Sequence, residues 1–222
     1  MVMQGVRLLL ISCAYLLVSA LGYLGFATYK SNLIGWFLIL TALSFGLSGP
    51  YLLFTNLKKG GVVHQERQDR SFWLILPGFL VVFYASPMEY LYLPGILPST
   101  NTTWTQLAGL SLIFVSLSLF VWARSTLKGM YSGRVWVKTG HTLIQHGPYN
   151  IIRHPAYASF VFMCLGISIG YSSLIGLLAI PLLLIPGLIY RINVEEKILI
   201  AQYGDEYIQY ALRTQRLLPR IW

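Results

Sequence analysis

Charge and sulfur are both scarce in this chain. Of its 222 residues only 10% are charged, and the acidic side chains number 7. An ordinary soluble domain is about one quarter charged, so a conventional water-facing surface is excluded. The cysteines are Cys13 and Cys164, each inside an apolar run, which argues against a disulfide framework. No Cys/His spacing suits a metal, and none is expected. Internal repeats, low-complexity tracts and polar linkers are also missing, so neither a repeat array nor a tethered soluble domain is in view.

What the chain has instead is apolar length, with 56% hydrophobic residues. Apolar segments cover 7–29, 33–56, 71–93 and 104–126, each long enough for ~30 Å of hydrocarbon. The first of these, opening at Arg7, reads as a retained helix because it runs on past the small residues Ser19-Ala20. The link Lys30-Ser-Asn32 is tight and predicts an antiparallel pair. A further apolar block at 156–190 is too long for one span and breaks at Tyr171-Ser-Ser173. It reads as a helical hairpin whose second arm is bent by Pro181 and Pro186. The fold class expected is an all-α polytopic membrane protein with about five to six transmembrane segments.

The formal net charge is +9, which by itself would suit a nucleic-acid partner. The basic residues, however, gather between apolar runs: Lys58, Lys59, Arg67 and Arg70, then Arg124, Lys128, Arg134 and Lys138, then a tail from Arg191 to Arg220. The loop over 86–103 has no Lys or Arg. This asymmetry explains orientation in a bilayer better than nucleic-acid binding, and puts both termini and the large loops on the cytoplasmic side. Asn101-Thr-Thr103 in the outward loop matches a glycosylation acceptor, a pattern short enough to arise by chance. Two parts are expected: four N-terminal spans over 1–126, and a C-terminal catalytic region over 127–222 with a loop, the hairpin and a basic tail.

Polar groups concentrate where the hairpin begins, in His141-Thr142-Leu143-Ile144-Gln-His-Gly147-Pro-Tyr149, then Arg153-His154-Pro155-Ala156-Tyr157. Gly147-Pro148 signals a turn, and Pro155 suits the first turn of a helix. Arg153 and His154 thus precede a helix N-terminus, where an anion is favoured. They fit either a ligand carboxylate or lipid headgroups. At the far end of the hairpin stand Arg191, Glu195 and Glu196. Arg191 and Glu195 share a helix face, as an ion pair or as a site; the adjacent acids suit ribose hydroxyls or an ammonium group, with Lys197 beside Glu196. Gly204 is expected to end one helix and Asp205 to cap the next. Tyr203, Tyr207 and Tyr210 read as packing, Arg213, Arg216 and Arg220 as headgroup contacts, and His64 and Glu66 lack telling partners.

The compound pattern from His141 through Tyr157, continued by Glu195-Glu-x-x-Leu199-x-x-x-Tyr-Gly204-x-x-Tyr207-x-x-Tyr210, closely resembles the isoprenylcysteine carboxyl methyltransferase family. That family groups with the membrane phospholipid N-methyltransferases. The resemblance implies a cytoplasmic pocket for S-adenosylmethionine without a Rossmann domain. It implies that His141, Thr142, Leu143, Ile144, Tyr149, His154, Pro155, Ala156, Tyr157 and Glu195 surround the cofactor, and Gly147 and Glu196, set among them, are expected to join in binding it. It further implies that Arg191 meets the substrate carboxylate, and Arg153 is expected beside it as a catalytic candidate. The acceptor it implies is lipophilic or prenylated and enters from the bilayer among membrane lipids, with no nucleic acid involved. Where eukaryotic members often carry a polar amide ahead of the His-x-Leu segment, this chain has Arg134-Val-Trp-Val137. Phospholipid amine methylation and sterol-type reduction with NADPH are the neighbouring activities. A transporter would need charge near mid-helix, for which Glu89 is the candidate.

Overall fold

The computed structural model describes residues 2–44, 46, 71–93, 101–127 and 143–218. Within them the chain is helical: α1 (Val2–Thr28), α2 (Ile34–Ser44), α3 (Ser71–Leu80), α4 (Ser86–Tyr92), α5 (Thr103–Thr126), α6 (Pro155–Gly170), α7 (Leu174–Ala179), α8 (Ile185–Tyr203) and α9 (Asp205–Arg213). Short π-helical turns at Val81–Ala85 and Ile180–Leu184 join α3 to α4 and α7 to α8. Pro181 lies in the second of these turns. Its missing N–H removes one i→i−4 bond and leaves the helix locally wide.

Among the described residues three stretches are long and apolar enough to cross a membrane: Trp73–Tyr92, Thr103–Thr126 and Leu174–Tyr203. Ser12–Thr28, Ile34–Ser44 and Pro155–Gly170 are shorter apolar helices. Large apolar side chains on the three long stretches point outward, among them Trp73, Phe114 and Leu182, each more than 60% exposed. So much outward apolar surface suits lipid and not water.

The expected hairpin is present. α6 ends at Gly170, Tyr171–Ser173 turns, and α7 leads through the π turn into α8. α5 lies along α6 at a seam of small residues, where a Cβ on Gly109 would come within 2.5 Å of the Gly166 carbonyl oxygen. Such close backbone approach is how membrane helices gain packing without a hydrophobic drive.

Polar side chains fasten the turns at one end of the bundle. Asn32 donates to the Gly170 carbonyl at 2.8 Å and accepts from the Ile34 amide, which ties the α1–α2 link to the end of α6. Asn101 donates to the same carbonyl at 3.2 Å, so this glycosylation-like asparagine is engaged within the fold. Glu89 is 4% exposed and not a mid-membrane charge awaiting cargo. It accepts from the Ser173 hydroxyl and from the amides of Leu174 and Ile175, closing the start of α7. One expectation needs correction: Gly204, at φ 55°, occupies the cap of α9, and Asp205 is its first helical residue. A left-handed link between two abutting helices favours glycine, and Asp205 still complements the helix dipole from the first turn.

Candidate functional site

The two segments singled out in sequence meet at the other end of the hairpin. The chain enters through a 3₁₀ turn at Gly147–Asn150. Gly147 has φ 64°, and a Cβ there would lie 2.8 Å from the Thr126 hydroxyl, so glycine is needed for conformation and for packing on α5. His154 occupies the cap position, and α6 begins at Pro155. Pro155 and Ala156 are buried, Leu143 and Ile144 half-buried. His141, Thr142, His64 and Glu66 lie outside the described residues.

Across from this turn, residues 213–217 return as a strap. The Arg153 amide donates to the Gln215 carbonyl at 2.7 Å and the His154 amide to that of Arg216 at 3.0 Å. Helix α9 is held to the same loop: the Tyr210 hydroxyl donates to the Tyr149 carbonyl at 2.7 Å, and Arg213 donates to Gln145 at 3.1 Å.

Charged side chains fill the space between loop, strap and α8. Glu196 is buried and accepts from Arg153 Nε at 2.8 Å on one oxygen and from Arg216 at 2.6 Å on the other. His154 Nε2 lies 3.4 Å from the same carboxylate. Arg153 also donates through Nη1 to the carbonyls of Ala211 and Thr214. Arg153 is thus a clamp that fastens the strap, with its donors turned toward the protein. Sequence neighbours do not supply these partners: Arg216 meets Glu196, and Glu196 is neutralised by Arg153 and Arg216, whereas Lys197 is exposed.

A second, more open layer lies beside this clamp. The Tyr157 hydroxyl donates to Glu195 at 2.6 Å and accepts from Arg191 Nε at 2.8 Å. One phenol thereby links the arginine and the acid that stand four apart on α8. The Tyr157 ring stacks on His154 at 5.5 Å between centroids, inclined by 16°, and the Arg191 guanidinium sits 5.8 Å from its centre. Arg191 is 7% exposed, whereas the Glu195 side chain retains 29% exposure. Buried cation, bridging hydroxyl and half-exposed acid therefore line a boundary between the apolar hairpin and the polar strap.

Tyr207 on α9 belongs to this site and was read in sequence as packing. Its periodicity with Tyr210 showed only that both share a face. The hydroxyl is buried without a hydrogen-bond partner, something no spacing reveals. Burial, then the nearby Glu196 carboxylate, raises its pKa far above the usual phenol range. No group of three or more His, Cys, Asp or Glu able to hold a metal occurs among the described residues.

The same part of the chain matches known proteins. The phospholipid methyltransferase family model matches residues 104–206, which spans α5 through the hairpin into α9. A probable protein-S-isoprenylcysteine O-methyltransferase of Oryza sativa subsp. indica is 33% identical over 88 residues, 40% of this chain and 46% of that protein. The chain thus matches about half the length of the rice relative. Protein-S-isoprenylcysteine O-methyltransferase B of Arabidopsis thaliana is 25% identical over 152 residues, 66% of this chain and 76% of that protein. The solved eukaryotic intramembrane Ras methyltransferase, an isoprenylcysteine carboxyl methyltransferase, superposes with a TM-score of 0.54 at 20% identity, over 85% of this chain and 66% of that one. At that identity the likeness shows the fold. Together with the three long apolar helices, these matches make the chain an integral membrane protein. The resemblance to the isoprenylcysteine carboxyl methyltransferase family read from the sequence is borne out, and the C-terminal half of the chain carries most of it.

Proposed function

We propose that this chain is a membrane methyltransferase that uses S-adenosylmethionine and methylates a lipophilic carboxylate, such as that of an isoprenylcysteine-like acceptor. The observation that carries the reading is the Arg191–Tyr157–Glu195 link at the apolar–polar boundary, with Arg191 and Glu195 four apart on α8 and joined by one phenol. The relatives named above favour the same chemistry.

The residues fit such a cofactor. A half-exposed acid suits its hydroxyl or ammonium groups, and the buried Tyr207 hydroxyl lacks a partner. When bound, the cofactor supplies an activated methyl group whose leaving thioether is neutral and requires no acid. A carboxylate acceptor needs no base. It needs orientation and loss of its water shell, and Arg191, buried and steadied by Tyr157, supplies both. Glu195, held by the same phenol, faces the cofactor. Arg153, Glu196 and Arg216 act at one remove by keeping the strap closed, so Arg153 supports the reaction by positioning. The acceptor enters sideways from lipid and the polar cofactor from the cytoplasm, with both termini on that side. In this reading residues 1–126 form the lipid-embedded part and 127–222 the catalytic part.

The family match also favours a second acceptor class, a phospholipid amine. An amine must arrive deprotonated or find a base, and Arg191 repels an ammonium group, so the carboxylate is preferred.

Titration calorimetry of the purified chain with S-adenosylhomocysteine and, separately, with NADPH tests the reading. Binding of the former alone is expected; binding of NADPH alone would overturn it in favour of a reductase. Offering a prenylated cysteine with a free carboxylate beside an amine phospholipid then separates the two acceptors.

A further inference from the structure

Of the buried hydroxyls that lack a partner, those of Ser86, Ser168 and Ser172 lie on or beside the elements that meet at the Tyr171–Ser173 turn. Among the described residues, only that of Tyr207 lies among the charged groups of the site. Tyr207 is 2% exposed. Its ring meets Tyr210 edge-on at 5.8 Å between centroids, and Tyr210, on the same face of α9, does have a partner in the Tyr149 carbonyl. The helix that carries both is pinned by Arg153 through Ala211 and Thr214, so Tyr207 has no easy swing toward water.

The acids beside it are already engaged. One Glu196 oxygen receives Arg153 and faces His154, and the other receives Arg216; Glu195 Oε2 receives Tyr157. The Tyr207 proton is held firmly, chiefly by burial and then by Glu196, so the hydroxyl is available as a donor. A buried donor left unmet costs stability, and such groups mark places where something else completes the structure.

We propose that Tyr207 donates a hydrogen bond to an acceptor oxygen of the bound cofactor and completes the site from the α9 side. The assignment rests on the methyltransferase reading above. It makes α9 part of the binding surface and not merely a brace behind it.

The test uses the full chain, S-adenosylhomocysteine as probe, and Tyr207→Phe beside Tyr210→Phe as reference. Without ligand, Tyr207→Phe is expected to melt at or above the wild-type temperature, because an unmet hydroxyl has been removed. Its Kd for the probe is expected to rise about three- to tenfold, the loss of one neutral hydrogen bond. Tyr210→Phe, which loses an internal bond, is expected to melt lower and to bind with a smaller change in Kd. A Kd increase in Tyr207→Phe no larger than in Tyr210→Phe would overturn the assignment, whatever the melting temperatures. Failure of the wild-type chain itself to bind the probe would instead overturn the methyltransferase reading.

Discussion

Each end of the hairpin holds one buried glutamate, and the two are satisfied by opposite means. Glu89, beside the Tyr171–Ser173 turn, is met by one hydroxyl and two backbone amides. Glu196, at the strap, is met by two guanidinium groups with a histidine alongside. Backbone dipoles at a helix start are local and fixed, so the first arrangement only holds a turn in place. Recruiting Arg153 and Arg216 from distant parts of the chain assembles a polar chamber in the second. A buried acid therefore marks a functional region here by the partners it gathers, not by its burial alone.

Substitutions can break or sharpen this contrast. Glu196→Ala removes the common partner of Arg153 and Arg216, and a buried pair broken on one side costs about 3–5 kcal/mol; a matching drop in thermal stability in detergent is expected, with loss of cofactor binding. Arg191→Ala lies in the neighbouring layer and should leave folding and S-adenosylhomocysteine affinity largely intact. Under the proposed function its turnover falls at least about 100-fold, or about 2.7 kcal/mol; near-normal turnover would make the substrate assignment wrong. Glu89→Gln keeps the shape and one acceptor oxygen at the far end. A loss of about 1–2 kcal/mol in stability is expected, with the Kd for S-adenosylhomocysteine unchanged. If Glu89→Gln weakened cofactor binding as Glu196→Ala does, the two ends would not differ in kind.

The parts of this molecule legible in sequence are those set by local pattern. Apolar length located the helices, the break at Tyr171–Ser173 located the hairpin turn, and Pro181 and Gly147 marked irregular backbone that the structure contains. The compound motif contains Arg153, His154, Tyr157, Glu195 and Glu196, the shared helix face adds Arg191, and the fold brings the six together. What escaped depends on pairing across the fold. Nothing in the spacing joins Arg216 to Glu196 or Glu89 to Ser173. Lys197 was the nearest neutralising charge along the chain, yet its position on α8 leaves it exposed. The Asp205 cap failed because a left-handed link overrode a side-chain preference. Tyr207 shows the limit most clearly, since helical periodicity assigns a face and says nothing about whether a hydroxyl finds a partner.

The strap has a consequence in time as well as in space. Thr214, Gln215 and Arg216 follow the three long apolar helices of the described residues in the order of synthesis, and chains fold largely from the N-terminus onward as they emerge. The strap is therefore the last of these elements to emerge, after both arms of the hairpin. Until it emerges, Arg153 and Glu196 lack their final partners, so the chamber is the last part of this region to close. A chain ended before Thr214 keeps the hairpin but leaves Arg153 without Thr214 and Glu196 without Arg216, so its chamber stays open.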